Sequence, residues 1–187
     1  MNKPLFRLVL SALFTALIVV GSYIAIPFVP VPLVLANFFA MLAGLLLGPI
    51  WGGISVLLYL VLGAIGLPVF SGGSGGFAHF MGPTGGFLIG YLVSAIVAGL
   101  VAHGSKTVNA QGETKPAPGI FQLSLAGALA LVALYAIGLP WFQISMGTKV
   151  PGLWQAFLFM SPYLIGDAVK TVVAITLSRS LSPLLKG

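Results

Sequence analysis

The stretch "LWQAFLFMSPYLIGDAVKTVVAITL", residues 153–177, sets the architecture of the chain. It is apolar almost throughout and longer than the roughly 20 helical residues needed to cross the hydrocarbon core of a bilayer. Yet it carries Asp167 and Lys170, in a chain that has only two acidic residues among its 187. The two lie three positions apart, which puts them on one face of a helix. At about 1.5 Å per residue, Asp167 is roughly 18 Å from Arg179 at the end of the run, so it sits near mid-membrane. A charge there costs at least about 2.5–3.5 kcal/mol, and intramembrane ionisable residues usually mark a function. A self-neutralising pair that only ties helices together is the ordinary alternative, but a buried ion pair seldom outdoes apolar packing on stability alone.

The rest of the chain has the same character. Hydrophobic residues make up 59% of it and charged residues 5%, far from the balance of a soluble domain. Long apolar runs without strict alternation predict membrane helices rather than a barrel. Division at the Pro/Gly clusters gives six spans, approximately 7–26, 33–48, 50–66, 84–103, 119–138 and 153–178, in a single transmembrane domain. The second and third are separated only by "LGPI" and form a tight hairpin, with Pro49 near a helix start. The basic opening resembles a signal peptide, but the apolar run from Leu8 to Ile26 exceeds the usual 7–15 residues of a cleaved one. It reads as a retained first span.

The net charge of +6 is scattered between hydrophobic runs, which speaks against a nucleic-acid face. With both termini cytoplasmic, Lys3, Arg7, Lys106, Lys115, Arg179 and Lys186 fall inside and only Lys149 outside, the expected positive-inside bias. The polar segment 104–118 is then a cytoplasmic loop. "AIGLP" occurs at Ala64–Pro68 and again at Ala136–Pro140, and is expected to close the third and fifth spans on the same side. No cysteine is present, and no cluster of His and carboxylates supports a metal site.

Several residues are candidates for binding. The pair Asp167 and Lys170 has no formal charge and suits a neutral polar group that donates to a carboxylate and accepts from an ammonium, as a urea or amide does. Between spans three and four, "GLPVFSGGSGGFAHFMGPTGGFLIGY" (66–91) lets backbone approach a ligand closely. Its "GPTGG" reads as a helix start whose N–H groups favour an anion, although a mobile connector with a well-formed cap explains the same spacing. His79 in this loop is either a donor to ligand or merely solvated, and His103 is interfacial. Asn37, Gln155 and Tyr163 either face a common cavity or bond between helices. Trp51, Trp141 and Trp154 fall near span ends, as aromatic anchors do. Ser11, Ala12, Thr15 and Ala16 form two overlapping small-residue patterns on span one, suited to close helix contact, inside the subunit or with a partner.

At "GLPVFSGGSGG", "GPTGGFLIGY" and "PYLIGDAVK" the sequence resembles the BioY family, the biotin-binding S components of energy-coupling factor transporters, over essentially its whole length. The resemblance implies a non-enzymatic six-helix subunit of the prokaryotic cytoplasmic membrane that captures biotin from outside, beneath its outer loops. It implies assembly with a transmembrane coupling subunit and two ABC-type ATPases, which use the ATP; the chain itself needs no cofactor. Asp167 and Lys170 match the family's contacts to the ureido ring, Thr84 and Gly85 belong to the matching loop motif, and Ala12 and Ala16 match the small-residue surface that meets the coupling subunit. His79 is the candidate for the valerate carboxylate, and Asn37 and Tyr163 for further contacts in the cavity. An autonomous proton-coupled carrier for biotin or another small vitamin, with Asp167 as the proton site, is the competing function. An intramembrane enzyme is disfavoured because no nucleophile and base come together.

Overall fold

The structure, a computed structural model, describes residues 3–26, 31–103 and 118–182. Among the described residues, five helices are long and apolar enough to cross a membrane. They are α1 (Lys3–Tyr23), α2 (Ala36–Ala64), α3 (Gly85–His103), α4 (Ile120–Met146) and α5 (Leu153–Leu181), and a two-stranded ribbon, β1 (Ala25–Ile26) with β2 (Leu33–Val34), sits between α1 and α2. Most of segment 104–118, like Lys106, Lys115 and Lys186, lies outside the described residues.

The helix α2 is broken at Gly48, whose φ of 82° and ψ of 179° are not helical, with Pro49 next in the chain. A Cβ on Gly52 would stand 2.7 Å from the Gly44 Cα, whereas residues eight apart on a straight helix are separated by about 12 Å. The two halves therefore fold back on one another, and glycine at both positions lets the backbones touch. The turn is seated against α3, since a Cβ on Gly99 would lie 2.3 Å from the Pro49 nitrogen. Alongside runs α1, parallel to the second half of α2: Ser11 donates to the Trp51 carbonyl at 3.1 Å and Thr15 to that of Ser55 at 2.9 Å.

Helices in lipid gain little from burying apolar area against each other, so close contact through small residues takes over. Ala40, Ala43, Ala95, Ala98, Ala126, Ala130 and Ala174 are all buried at the helix interfaces. Span one divides accordingly. Ser11 and Thr15 turn inward to α2, while Ala12 and Ala16 face outward among the exposed Leu5, Leu8, Val9, Leu13 and Val20.

One of the two expected helix ends needs correction. The first "AIGLP" does end a helix, with Gly66 at a φ of 102° just beyond Ala64. The second does not: α4 continues through Pro140 to Met146. Proline costs the helix one hydrogen bond, but Gly138 is pressed against the Phe87 ring and Phe142 is fully buried, so packing on both sides of Pro140 holds the helical path.

Candidate functional site

The ribbon, the segment 65–84 and the turn Gly147–Lys149 gather at one end of the bundle; the Gly48 turn and His103, whose Nε2 bonds the Leu45 carbonyl at 2.6 Å, mark the other. Under the gathered loops lies a cavity of about 410 Å³. Asn37, Tyr163, Asp167 and Lys170 line its deeper part, and His79, Gly82 and Thr84 its upper part. Phe70, Phe87, Leu88, Leu134 and Met160 supply apolar wall between them. Such a mixture of mostly apolar surface with a few convergent polar groups is what small-molecule sites present.

At the floor the polar groups are matched atom for atom. Lys170 Nζ donates to Asp167 Oδ1 at 2.9 Å, to Asn37 Oδ1 at 3.1 Å and to the Val34 carbonyl at 2.7 Å, which uses all three ammonium donors. Asn37 Nδ2 donates to Asp167 Oδ1 at 2.8 Å, while its Oδ1 also accepts from the Phe38 N–H at 3.0 Å. The amide is thus fixed with its carbonyl toward the cation and its nitrogen toward the acid. Tyr135 donates to Asp167 Oδ2 at 2.7 Å. Three donors on two oxygens are what an ionised carboxylate takes, and the lysine beside it balances the charge.

The same helix ties down the ribbon. Besides the bond from Lys170 to Val34, the Tyr163 hydroxyl donates to the Val31 carbonyl at 2.5 Å. The floor and one wall of the cavity are therefore a single hydrogen-bonded unit.

The roof is made differently. Residues 65–84 are held by backbone bonds, among them Gly76 N–H to Gly63 O at 2.7 Å and Phe70 N–H to Ser74 O at 2.9 Å, and by the buried Phe70 ring, which packs edge to face against Tyr59, His79 and Phe80. Glycines at 66, 72, 73 and 76 have positive φ, a conformation that residues with a Cβ rarely adopt. Ser22 and Tyr23 of α1 donate to the Val69 and Pro68 carbonyls, and Trp141 Nε1 donates to the Gly82 carbonyl at 3.1 Å. Trp141 is thus a tether for the roof as well as an aromatic group near a helix end.

The structure brings together Asp167, Lys170, Asn37, Tyr163, Thr84 and His79 around one cavity. Gly85 is not among the lining residues; its N–H is bonded to the Gly82 carbonyl at 3.0 Å, and a Cβ on it would meet the Phe80 carbonyl oxygen at 1.9 Å. Its place is beneath the roof, where the loop packs onto α3, and its N–H is already taken rather than offered to an anion. Gln155 is exposed in the first turn of α5, away from the cavity, with its Oε1 beside Gly152. Sequence reasoning missed Tyr135, a tyrosine in an apolar run with no local sign of its partner on another helix. It also missed the Val34 carbonyl, since backbone acceptors leave no trace in a sequence.

A helical bundle of membrane-crossing length with a roofed cavity and a neutralised acid–base pair at its floor defines a multi-pass membrane protein. The chain belongs to the BioY family, whose family model matches residues 1–187. It is 38% identical over 173 residues to the probable biotin transporter BioY of Pyrococcus horikoshii, covering 92% of this chain and 93% of that one. It is 39% identical over 182 residues to the biotin transporter BioY of Rhizobium etli, covering 93% and 91%. Among solved structures it is similar to the S-component for biotin from an ECF-type ABC transporter, with a TM-score of 0.80 and 32% identity over 96% of this chain and 92% of that one. The family is one of transporters, not enzymes.

Proposed function

We propose that this chain is the biotin-capturing subunit of an ATP-driven ECF vitamin transporter in a prokaryotic cell membrane, taking its ligand from the extracellular side. The observation that carries the reading is the Asp167–Lys170 pair lining a cavity beneath a glycine-rich roof. Biotin's cyclic urea has two N–H donors and one carbonyl acceptor. The N–H edge faces Asp167, and the carbonyl takes a donor from Lys170, which releases Val34 or Asn37 to provide it. Tyr163 and Asn37 border the urea, the apolar wall encloses the thiophane ring and chain, and the carboxylate points toward Thr84 and His79 under the roof.

The folded-back halves of α2 support counting six spans, with both termini and segment 104–118 on the cytoplasmic side and the roof outside. The outward-facing Ala12 and Ala16 fit close approach by a transmembrane coupling subunit, which two ABC-type ATPases would drive. The chain needs no cofactor of its own.

Isothermal titration of the purified chain tests the ligand. Biotin binds, lipoate, which lacks the cyclic urea, does not, and Asp167→Asn lowers biotin affinity at least about tenfold, or about 1.4 kcal/mol. Equal binding of lipoate and biotin, or unchanged affinity in Asp167→Asn, rejects the reading.

A further inference from the structure

We infer that Tyr135 is the positioning residue of this site: its hydroxyl fixes the orientation of the Asp167 carboxylate for the ligand, and its ring separates that carboxylate from the surrounding lipid. The inference rests on the reading of Asp167 as the acceptor for a cyclic urea.

A carboxylate offers about four acceptor positions, two on each oxygen. Among the described residues, Asp167 Oδ1 already accepts from Asn37 and Lys170, while Oδ2 accepts from Tyr135. The remaining acceptor position is therefore on Oδ2, the oxygen that Tyr135 holds. An incoming N–H donor shares Oδ2 with the tyrosine, and the direction of the Tyr135 bond sets the direction left for the ligand. Without that hydroxyl, the carboxylate is anchored through Oδ1 alone and Oδ2 swings about the Cβ–Cγ bond.

Tyr135 lines not the cavity but a separate apolar groove of about 470 Å³ between α4 and α5, together with Leu139, Pro140, Leu153, Trp154 and Phe157. Leu153 is 55% exposed and Trp154 65%, so the groove opens onto the lipid-facing surface of the bundle. On its other side the Tyr135 ring meets Phe87 edge to face, with centroids 6.0 Å apart, and Phe87 lines the cavity. The ring thus stands between hydrocarbon and an ion pair, which is costly to expose to lipid. The phenol meets both requirements with one side chain, an apolar body toward the bilayer and a hydroxyl toward the charge.

A residue that merely packs α4 against α5 occupies the same position, and a double-mutant cycle separates the two roles. Tyr135→Phe keeps the ring and removes the hydroxyl. Biotin affinity is measured by titration in the wild type, Tyr135→Phe, Asp167→Asn and the double variant, with desthiobiotin, which keeps the cyclic urea but lacks the sulfur ring, as a second ligand. The expected result is a loss of about tenfold in Tyr135→Phe, the scale of a hydrogen bond to a charged group, and no further loss when Asp167→Asn is already present. Desthiobiotin falls by the same factor as biotin, and this ratio decides the matter if the Asp167→Asn background binds too weakly to compare. Affinity of Tyr135→Phe within about twofold of wild type, an equal loss in both backgrounds, or a changed ratio between the two ligands overturns the positioning role while leaving Asp167 as the acceptor. An Asp167→Asn variant that binds biotin normally overturns the underlying reading as well.

Discussion

The floor and the roof of the cavity differ in what holds them in place. On the floor, Asp167, Lys170, Asn37 and Tyr135 sit on three packed helices, and their bonds of 2.7 to 3.1 Å form a closed set in which no group can turn without stranding another. The roof from residue 65 to 84 is a glycine-rich segment pinned to α2 by the buried Phe70 ring against Tyr59 and tied by backbone carbonyls to α1 and, at Gly82, to α4. Charge in a low-dielectric setting is strong and directional, so the floor is suited to recognising one pattern of donors and acceptors. A roof whose turns are made by glycine is suited to following the shape of whatever the floor has accepted. Changes to the floor that leave no charge unpaired should therefore appear in ligand affinity while stability persists, and changes to the roof should mix affinity with local stability.

The sharpest way to break this division is at the ion pair, where the largest effect is expected. Lys170→Met leaves the Asp167 carboxylate, 7% exposed, without its cation. Removing one partner of a buried pair costs about 3–5 kcal/mol, so the variant melts at a lower temperature and binds biotin at least about a hundredfold more weakly, about 2.7 kcal/mol. The double variant Asp167→Leu/Lys170→Met removes both charges, and such replacement is often neutral or stabilising. It is expected to melt no lower than wild type and to show no biotin binding by titration. A double variant that fails to insert would show that the pair holds the bundle together, and the functional distinction between floor and roof would fall.

Next in size is the seam where roof meets helix. A Cβ on Gly85 would lie 1.9 Å from the Phe80 carbonyl oxygen and 2.9 Å from Trp141 Nε1. Neither backbone nor indole can yield without moving Gly82, whose carbonyl Trp141 holds. Overpacking of this kind costs about 1–3 kcal/mol, and because Gly82 and Thr84 line the cavity, affinity should fall by about tenfold, together with a lower melting temperature. Lost affinity with unchanged melting would mean that the roof recognises ligand as specifically as the floor does.

The sequence disclosed these two regions unequally. Asp167 and Lys170 were legible because charge in a long apolar run has few explanations, whereas Asn37 stood level with Gln155 and Tyr163 as residues that face a cavity or bond between helices, and of these Gln155 is exposed away from the cavity. Gly48 and Pro49 announced a turn, since proline and glycine act locally. Tyr135 was hidden: an aromatic in an apolar run reads as wall, and its partner lies on another helix, 32 positions away. The repeated "AIGLP" misled for the same reason. Glycine and proline permit a helix to end, but whether it does depends on what packs around them, and Gly66 lies in open space whereas Gly138 is pressed against Phe87. In the roof, composition indicated a loop without telling which glycines lie against other backbone.

That last distinction yields the smallest predicted effect. Gly72 has a φ of 72°, but a Cβ there would meet nothing within 4 Å. Alanine at this position is strained by roughly 1–2 kcal/mol for the left-handed conformation, with no clash to relieve. If Gly72 keeps that conformation whether or not biotin is bound, the strain is common to both states and cancels from the binding equilibrium. Gly72→Ala should then bind biotin within about twofold of wild type, while the roof exchanges its amide hydrogens faster, a change that hydrogen exchange detects locally. Gly85→Ala, by contrast, alters a contact that shapes the cavity. A tenfold loss from Gly72→Ala would mean that this glycine changes its backbone angles as ligand enters, and the roof would then be a hinged element whose motion is part of recognition rather than a cover that adapts after it.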